Sequence, residues 1–225
     1  MKQLQIKAVL FDLGDTLIRT AEIPEIYRRI GENFGVKLSV DEIREAHKDV
    51  GESDAIEGMI TSGQEFWVRW NSEVLSRAGI QENRAFLARK IDELWWKYAD
   101  LEVFPDVVDT LTQLRAKGVK TGVITNGLKR DYEQILGKVR LTDKFDIVVG
   151  IDTCNKAKPD SEIFLHAVNM LDVRPEQAIF IGDSFKYDYE GARNAGLKPL
   201  LIDREGKASE SVETIRNLTE VLLLV

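Results

Sequence analysis

The sequence predicts an α/β protein in which a parallel sheet is flanked by helices and an all-helical domain is inserted. Short apolar runs recur along the chain, and each is followed by a polar turn and a segment of helical periodicity, as in parallel strands joined by crossover helices. Residues 20–102 do not show this alternation of strands and helices, because their apolar residues have helical spacing and no convincing strand run occurs among them. We therefore expect a Rossmann-like core from residues 1–19 and 103–225, and a helical cap domain from residues 20–102.

Five apolar runs are the predicted strands, and helical segments lie between most of them. The strand runs are IKAVLF, VKTGVIT, DIVVG, AIFIG and LKPLLI, which begin at residues 6, 119, 146, 178 and 197. The predicted crossover helices are PDVVDTLTQLRAKG, LKRDYEQILGKV, PDSEIFLHAVNML and YDYEGARNAG. Pro105 near the start of the first of these helices and Gly118 at its end are typical boundary residues.

The inserted stretch divides into four predicted helices. Breaks at GVKLS, TSG and GIQEN place them near residues 22–34, 40–50, 63–78 and 82–99. Aromatic side chains recur in this stretch at near-helical spacing, which is typical of the core of a helical bundle. These residues are Phe66, Trp67, Trp70, Phe86, Trp95 and Trp96.

The composition narrows the classes of function. The chain has 225 residues, 44% of them hydrophobic, and a formal net charge of −7 without a basic block, so nucleic acid is not an expected partner. No apolar run approaches the roughly 20 residues of a membrane span, and the start lacks a signal-peptide pattern. These features predict a cytoplasmic protein without membrane contact. The lone Cys154 cannot form an internal disulfide and is interpreted as structural.

Chemically active side chains follow the predicted strands. In an open parallel sheet, ligands bind outside the carboxyl ends of the strands, so the residues at those ends are candidates for a site. Each has an ordinary interpretation taken singly, as a helix cap, a turn residue or a solvated lysine. Together, at one edge of the sheet, they predict a site. They are Asp12 after the first run, Thr125, Asn126 and Gly127 at the end of the second, Asp183 after the fourth, and Lys158 in a loop before a helix.

This combination of groups predicts chemistry on a phosphate. Asp12 and Asp183 would repel each other unless one is protonated or a cation lies between them, and hard oxygen ligands point to Mg²⁺. Thr125, backbone amides around Gly127 and the charge of Lys158 would then hold a phosphate against the metal. Asp12 would attack the phosphorus and form an aspartyl-phosphate, which divides hydrolysis into two easier steps.

The same residues resemble the motifs of the haloacid dehalogenase superfamily of hydrolases, in the subclass with a helical (C1-type) cap inserted after the first strand. VLFDLGDTL resembles the first motif, VITNG the second, AKPDSEIF the third and IFIGDSFKYDYEGARNAG the fourth, so the match runs nearly end to end. The resemblance implies that Asp12 is the nucleophile and a metal ligand, and that Thr125 and Asn126 contact the phosphoryl group. It implies that the charge of Lys158 stabilises both the nucleophile and the phosphoryl group. Asp183 would bind the metal directly, and Asp188 would bind it directly or support its ligands.

One position departs from the pattern of the family's phosphatases. These enzymes usually carry a second aspartate two residues after the nucleophile as general acid, and this chain has Gly14 there, with a carboxylate one residue later at Asp15. The Gly14 backbone carbonyl can still bind the metal, since that contact needs no side chain. Asp15 either supplies the acid from its shifted position or serves as a turn residue.

The sequence as a whole predicts a Mg²⁺-dependent phosphatase that hydrolyses a small phosphorylated metabolite. A 2-haloacid dehalogenase is the first alternative, because halide leaves without a proton and needs no acid at position 14. The GDS turn of residues 182–184 argues against a dehalogenase, because its aspartate would bind a metal and the dehalogenases of this family work without one. A catalytically weak or silent phosphate-binding relative is the second alternative. The sequence contains no readable motif for the substrate or for the oligomeric state.

Overall fold

The structure is a computed structural model that describes residues 5–50, 53–207 and 212–225. In these ranges the strands are β1 (Ala8–Phe11), β2 (Ile18–Arg19), β3 (Glu102–Val103), β4 (Lys120–Ile124), β5 (Ile147–Val149), β6 (Ala178–Gly182), β7 (Lys198–Ile202) and β8 (Thr214–Ile215). The α-helices are α1 (Ile23–Asn33), α2 (Val40–Val50), α3 (Ser53–Ser62), α4 (Gln64–Arg77), α5 (Arg84–Tyr98), α6 (Val107–Ala116), α7 (Lys129–Lys138), α8 (Ile151–Cys154), α9 (Ser161–Met170) and α10 (Gly191–Asn194).

A six-stranded parallel sheet organises the larger part of the chain, in the order β5-β4-β1-β6-β7-β8. All four residues of β1 are fully buried, because strands lie on both sides of it and side chains cover both faces. On one face, apolar residues of α9 and α10 pack against Leu10, Ile124 and Phe180. The prediction of an α/β fold with a parallel, helix-flanked sheet is confirmed.

The chain divides into two compact units. The first comprises Met1–Arg19 and Glu102–Val225, and the second comprises Thr20–Leu101. Strands β2 and β3 belong to the first unit and pair antiparallel where the chain leaves it and returns to it, with Ile18 opposite Val103. The sequence analysis missed this pair, because two-residue strands have no recognisable periodicity. The roles of the units as catalytic core and cap stay predictions.

In the described residues of the second unit, the regular elements are α1 to α5. Helices α1, α2, α4 and α5 match the four predicted helices within a few residues, whereas α3 was not predicted. Its sequence contains a glycine, Gly58, that weakens the helical pattern. This glycine is required by packing, because a Cβ added there would lie 2.4 Å from the ring of Phe66.

The prediction that the aromatic residues of this unit form a bundle core was wrong for Phe86. Phe66 and Trp70 are buried and contact each other, and Trp67 packs edge-on against both. Phe86 is 51% exposed, and its ring is partly covered by the edge of Phe34 and by the Lys90 ammonium, 5.8 Å from the ring centre. None of the helices in the described part of the chain combines the length and the apolar character that a bilayer span requires.

The last predicted crossover helix differs in form from the expectation. It opens as a π-helical turn over Phe185–Glu190 and continues as the short α10. A π-helical turn inserts an extra residue and commonly occurs at functional sites. Here the turn contains Asp188, whose buried carboxylate lies beside the end of β6.

Candidate active site

Three carboxylates meet at the carboxyl edge of the sheet. Asp12 directly follows β1 and Asp183 directly follows the neighbouring strand β6, and the Asp12 amide donates to the carbonyl of Ile181 over 2.8 Å. Asp188 reaches the same place from the π-helical turn. One oxygen from each of the three carboxylates lies within 4.8 Å of the others. The parallel topology therefore brings together two strand ends that are about 170 residues apart in the sequence.

The ammonium group of Lys158 lies within this cluster. Its Nζ atom is 2.5 Å from Asp12 Oδ1 and 2.6 Å from Asp188 Oδ1, and the side chain is only 3% exposed. The second oxygen of Asp188 accepts a hydrogen bond of 2.9 Å from the Ser184 amide. The lysine therefore compensates the charge of two buried carboxylates, which would otherwise be very unfavourable.

Gly182, the last residue of β6, leaves space for Asp188. A Cβ atom added at Gly182 would lie 2.3 Å from Asp188 Cγ and 2.4 Å from its Oδ2 atom, closer than atoms can approach. Any larger residue at position 182 would therefore displace the Asp188 carboxylate. The glycine of the GDS turn has a steric role at this site.

The electrostatics of the cluster favour an additional cation. The pKa of Asp12 is raised from 3.8 to about 7, first by desolvation, which outweighs the effect of Lys158, and further by the charge of Asp188. The pKa of Asp183 is raised to about 6, first by desolvation and then by Asp188 and Asp15. Desolvation lowers the pKa of Lys158, but the two carboxylates outweigh it and the pKa is raised. Two carboxylates whose ionised forms are disfavoured, Asp12 and Asp183, together with the neighbouring oxygens of Asp188, fit a hard divalent cation.

The residues after β4 have a more specific arrangement than the sequence indicated. The side-chain amide of Asn126 donates to the Lys158 carbonyl over 3.0 Å and accepts from the Lys158 backbone N–H over 2.7 Å. The Gly127 N–H donates to Thr125 Oγ1 over 3.2 Å. The Asn126 side chain is therefore engaged with the loop that carries Lys158, and the Gly127 amide with Thr125, whereas both were predicted as groups that contact phosphate.

The turn after Asp12 comprises Gly14, Asp15 and Thr16. Asp15 is exposed and has a φ of 52°, in the left-handed region that non-glycine residues rarely adopt. The Thr16 amide donates to the Gly14 carbonyl over 2.6 Å, and Thr16 Oγ1 lies 3.5 Å from Asp183 Oδ1, at the outer limit of a hydrogen bond. Thr16 is fully buried.

Thr16 is the site residue that the sequence analysis did not single out. Its signal was its place directly after Asp15 in the turn that follows Asp12, but a threonine in a turn is ordinarily a turn or capping residue. Contact with Asp183, which lies 167 residues further along the chain, depends on the pairing of β1 with β6.

Comparison with known proteins identifies the family. A family model described as a haloacid dehalogenase-like hydrolase matches residues 6–196. A glyceraldehyde 3-phosphate phosphatase from Methanopyrus kandleri is 32% identical over 213 residues, which cover 90% of this chain and 85% of that protein.

Two solved structures are similar over nearly the whole length of the chain. A HAD phosphatase from Thermococcus onnurineus is 28% identical, with a TM-score of 0.67 and 97% of each chain covered. A 2-haloacid dehalogenase from Pseudomonas syringae pv. Tomato is 26% identical, with a TM-score of 0.72 and 98% of each chain covered. The family model matches the chain from before the first strand to beyond the π-helical turn. The chain therefore belongs to the haloacid dehalogenase-like hydrolases.

Proposed function

We propose that this protein is a Mg²⁺-dependent phosphatase that hydrolyses a small phosphate monoester through an aspartyl-phosphate on Asp12. The observation that carries the proposal is the cluster of three carboxylates around the buried ammonium of Lys158. A relative named as a glyceraldehyde 3-phosphate phosphatase and a structural neighbour described as a HAD phosphatase support the same reaction class.

The proposed metal ligands are oxygen atoms of the cluster. Asp12 and Asp183 would bind Mg²⁺ directly, the Gly14 carbonyl would add a backbone ligand, and Asp188 would bind it or orient the other ligands. When bound, the ion would offset the charge of the carboxylates and of the phosphate, so that the two can approach.

The residues of the chain then perform two displacements. A carboxylate oxygen of Asp12 forms a bond to phosphorus while the bond from phosphorus to the ester oxygen breaks, and the ester oxygen takes a proton from solvent water and leaves as the alcohol. Water then attacks the aspartyl-phosphate, the bond between phosphorus and the Asp12 oxygen breaks, and inorganic phosphate leaves. Lys158 offsets the charge on the phosphoryl oxygens. The Thr125 hydroxyl accepts from Gly127 and keeps its own hydrogen to donate to a phosphoryl oxygen.

The dehalogenase alternative retains one supporting observation, the absence of a carboxylate at Gly14. The carboxylates of Asp183 and Asp188 weigh against it, because displacement of a halide by Asp12 needs no cation site. A phosphate-binding protein without turnover is the remaining alternative, and it predicts binding of phosphate with no release of product. A cytoplasmic location also stays a prediction.

The deciding experiment is a phosphate-release screen run in parallel with a halide-release assay. The phosphate panel contains glyceraldehyde 3-phosphate, phosphoglycolate, sugar phosphates, nucleotides and p-nitrophenyl phosphate, each with and without Mg²⁺. The halide assay uses 2-haloacids under the same conditions. We expect phosphate release that requires Mg²⁺ and no halide release. Halide release without metal would instead establish the dehalogenase, and binding of inorganic phosphate by calorimetry with neither activity would support the silent relative.

A further inference from the structure

Arg204 lies just beyond β7 at the carboxyl edge of the sheet, and its guanidinium group is bound on several sides. It forms a bidentate ion pair with Asp106, with Nη1 2.8 Å from Oδ2 and Nη2 3.2 Å from Oδ1. Its Cζ atom lies 3.9 Å from the centre of the Phe104 ring. Asp106 is only 7% exposed and also accepts a hydrogen bond of 2.8 Å from the Leu218 amide. Arg204 is therefore held firmly in one orientation.

The remaining contact of Arg204 is with the turn that follows the proposed nucleophile. Its Nη2 atom donates to the Thr16 carbonyl over 2.9 Å. The Thr16 amide in turn donates to the carbonyl of Gly14, and the Thr16 hydroxyl contacts Asp183. Through Thr16, the guanidinium is connected to two of the proposed metal-binding groups.

The turn of residues 14–16 needs such support. Its central residue, Asp15, has a positive φ of 52°, a conformation that costs free energy even though aspartate adopts it more readily than most other residues. The hydrogen bond to the Thr16 carbonyl fixes the end of the turn, and the adjacent Leu17 and Ile18 amides donate to the Leu13 carbonyl.

We propose that Arg204, anchored by Asp106, is a positioning residue that holds the 14–16 turn in its active geometry. It does not contact the reacting atoms. It keeps the Gly14 carbonyl and the Thr16 hydroxyl in place beside Asp12 and Asp183. The catalytic consequence rests on the proposed phosphatase function, whereas the structural consequence does not.

The test compares Arg204→Met with Arg19→Met. Arg19 is a matched control, because its guanidinium faces the same Phe104 ring at 5.9 Å but forms its ion pair with the exposed Glu102. Hydrogen exchange is measured on peptides that span residues 13–18. We expect roughly tenfold faster exchange in Arg204→Met and wild-type exchange in Arg19→Met. Unchanged exchange in Arg204→Met would overturn the proposal.

Two further variants separate positioning from loss of folding. Arg204→Met leaves the buried Asp106 without its ion pair, so the double variant Arg204→Met/Asp106→Asn is made as well, because it removes both charges and keeps an acceptor for Leu218. Arg204→Lys can still donate to the Thr16 carbonyl and should restore part of the protection. Equal exchange in Arg204→Lys and Arg204→Met, at equal stability, would argue against a role for this contact.

The catalytic consequence is measured on the same variants. We expect Arg204→Met to lower kcat and to weaken Mg²⁺ binding by calorimetry, each by about tenfold or more, with a nearly unchanged KM. Fast exchange with wild-type kcat and Mg²⁺ affinity would overturn the link to the site. If the wild-type protein has no phosphatase activity, the proposed function fails, while the exchange data still decide whether Arg204 holds the turn.

Discussion

Two hydrogen bonds join the side-chain amide of Asn126 to the backbone of Lys158, one to its carbonyl and one from its N–H. This pairing connects the end of β4 to the loop before α9. It places Lys158 so that its ammonium reaches Asp12 and Asp188 from a buried position. Asn126 therefore acts on the site through Lys158.

Replacement of Asn126 should displace Lys158. We expect Asn126→Ala to lower kcat by about 10²-fold, because small displacements of a charged group at a site of this kind have effects of that size. Steady-state kinetics and thermal melting check the prediction. Asn217→Ala is the control, since the Asn217 side chain caps the 3₁₀-helical segment Leu218–Leu223 by accepting a hydrogen bond from the Thr219 amide. Similar kinetics in the two variants would contradict the role of Asn126.

Replacement of the proposed nucleophile should abolish turnover while the fold is retained. Asp12→Asn removes the carboxylate that forms the aspartyl-phosphate, and an amide is a poor nucleophile. Since burial raises the pKa of Asp12 to about 7, the ionised carboxylate is unfavourable in the fold, and we expect no large loss of thermal stability. The measurement is phosphate release alongside a melting curve. Undiminished hydrolysis would mean that water attacks the phosphorus directly.

Removal of the metal should stop the reaction. We expect EDTA to abolish phosphate release and added Mg²⁺ to restore it, because the carboxylate cluster otherwise repels an anionic substrate. Asp183→Asn removes the charge of one proposed ligand and should raise the Mg²⁺ concentration needed for half-maximal activity by about tenfold or more. A titration of activity against Mg²⁺ measures this shift. Full activity in EDTA would exclude the proposed metal dependence.

The turn after Asp12 allows a test of the general acid. Asp15 is exposed in the left-handed region, where Asn is also tolerated, so Asp15→Asn preserves the turn. We expect this variant to be nearly silent on both alkyl phosphates and p-nitrophenyl phosphate, as befits a turn residue. A loss of about 10²-fold confined to alkyl phosphates, with stability intact, would assign the acid's role to Asp15.

Gly14→Asp is the complementary variant. Gly14 has no positive φ, and a Cβ added there meets no atom within 4 Å, so the backbone accepts a side chain. An aspartate at the family's usual position should raise activity on alkyl phosphates, whose leaving groups need a proton. Gly14→Asn, which is similar in shape but has no acid, is the control. Equal activity of the two variants would show that a carboxyl group at this position does not act as the acid.

The steric role of Gly182 predicts a large effect for a single methyl group. In Gly182→Ala the added Cβ would overlap Asp188 Cγ, so we expect a displaced carboxylate, a loss of stability of about 1–3 kcal/mol and strongly reduced activity. Gly137→Ala in α7 is the control, because a Cβ there meets nothing within 4 Å and should stabilise the helix by about 0.5–1 kcal/mol. Thermal melts and kinetics of both variants provide the measurement, and wild-type activity in Gly182→Ala would refute the steric argument.

Much of the candidate site could be predicted from sequence because its residues follow apolar runs. Asp12 and Asp183 stand directly after buried strands, and parallel strands place their carboxyl ends at one edge. The length of a run and the turn that ends it are local features, so they can be read without knowledge of the fold. The same holds for the alternation of helices and strands through residues 103–203.

The contacts that orient these residues depended on the tertiary structure. The sequence by itself determined the strand ends, their carboxylates and the lysine, since hydrophobic periodicity is encoded within single segments. Only the folded chain decided that Asn126 binds the Lys158 backbone and that Gly182 makes room for Asp188. Arg204 bonds to Thr16, which lies 188 positions earlier in the chain. Such a contact leaves no pattern in either segment, because the free energy that stabilises it arises only when the sheet has brought the two segments together.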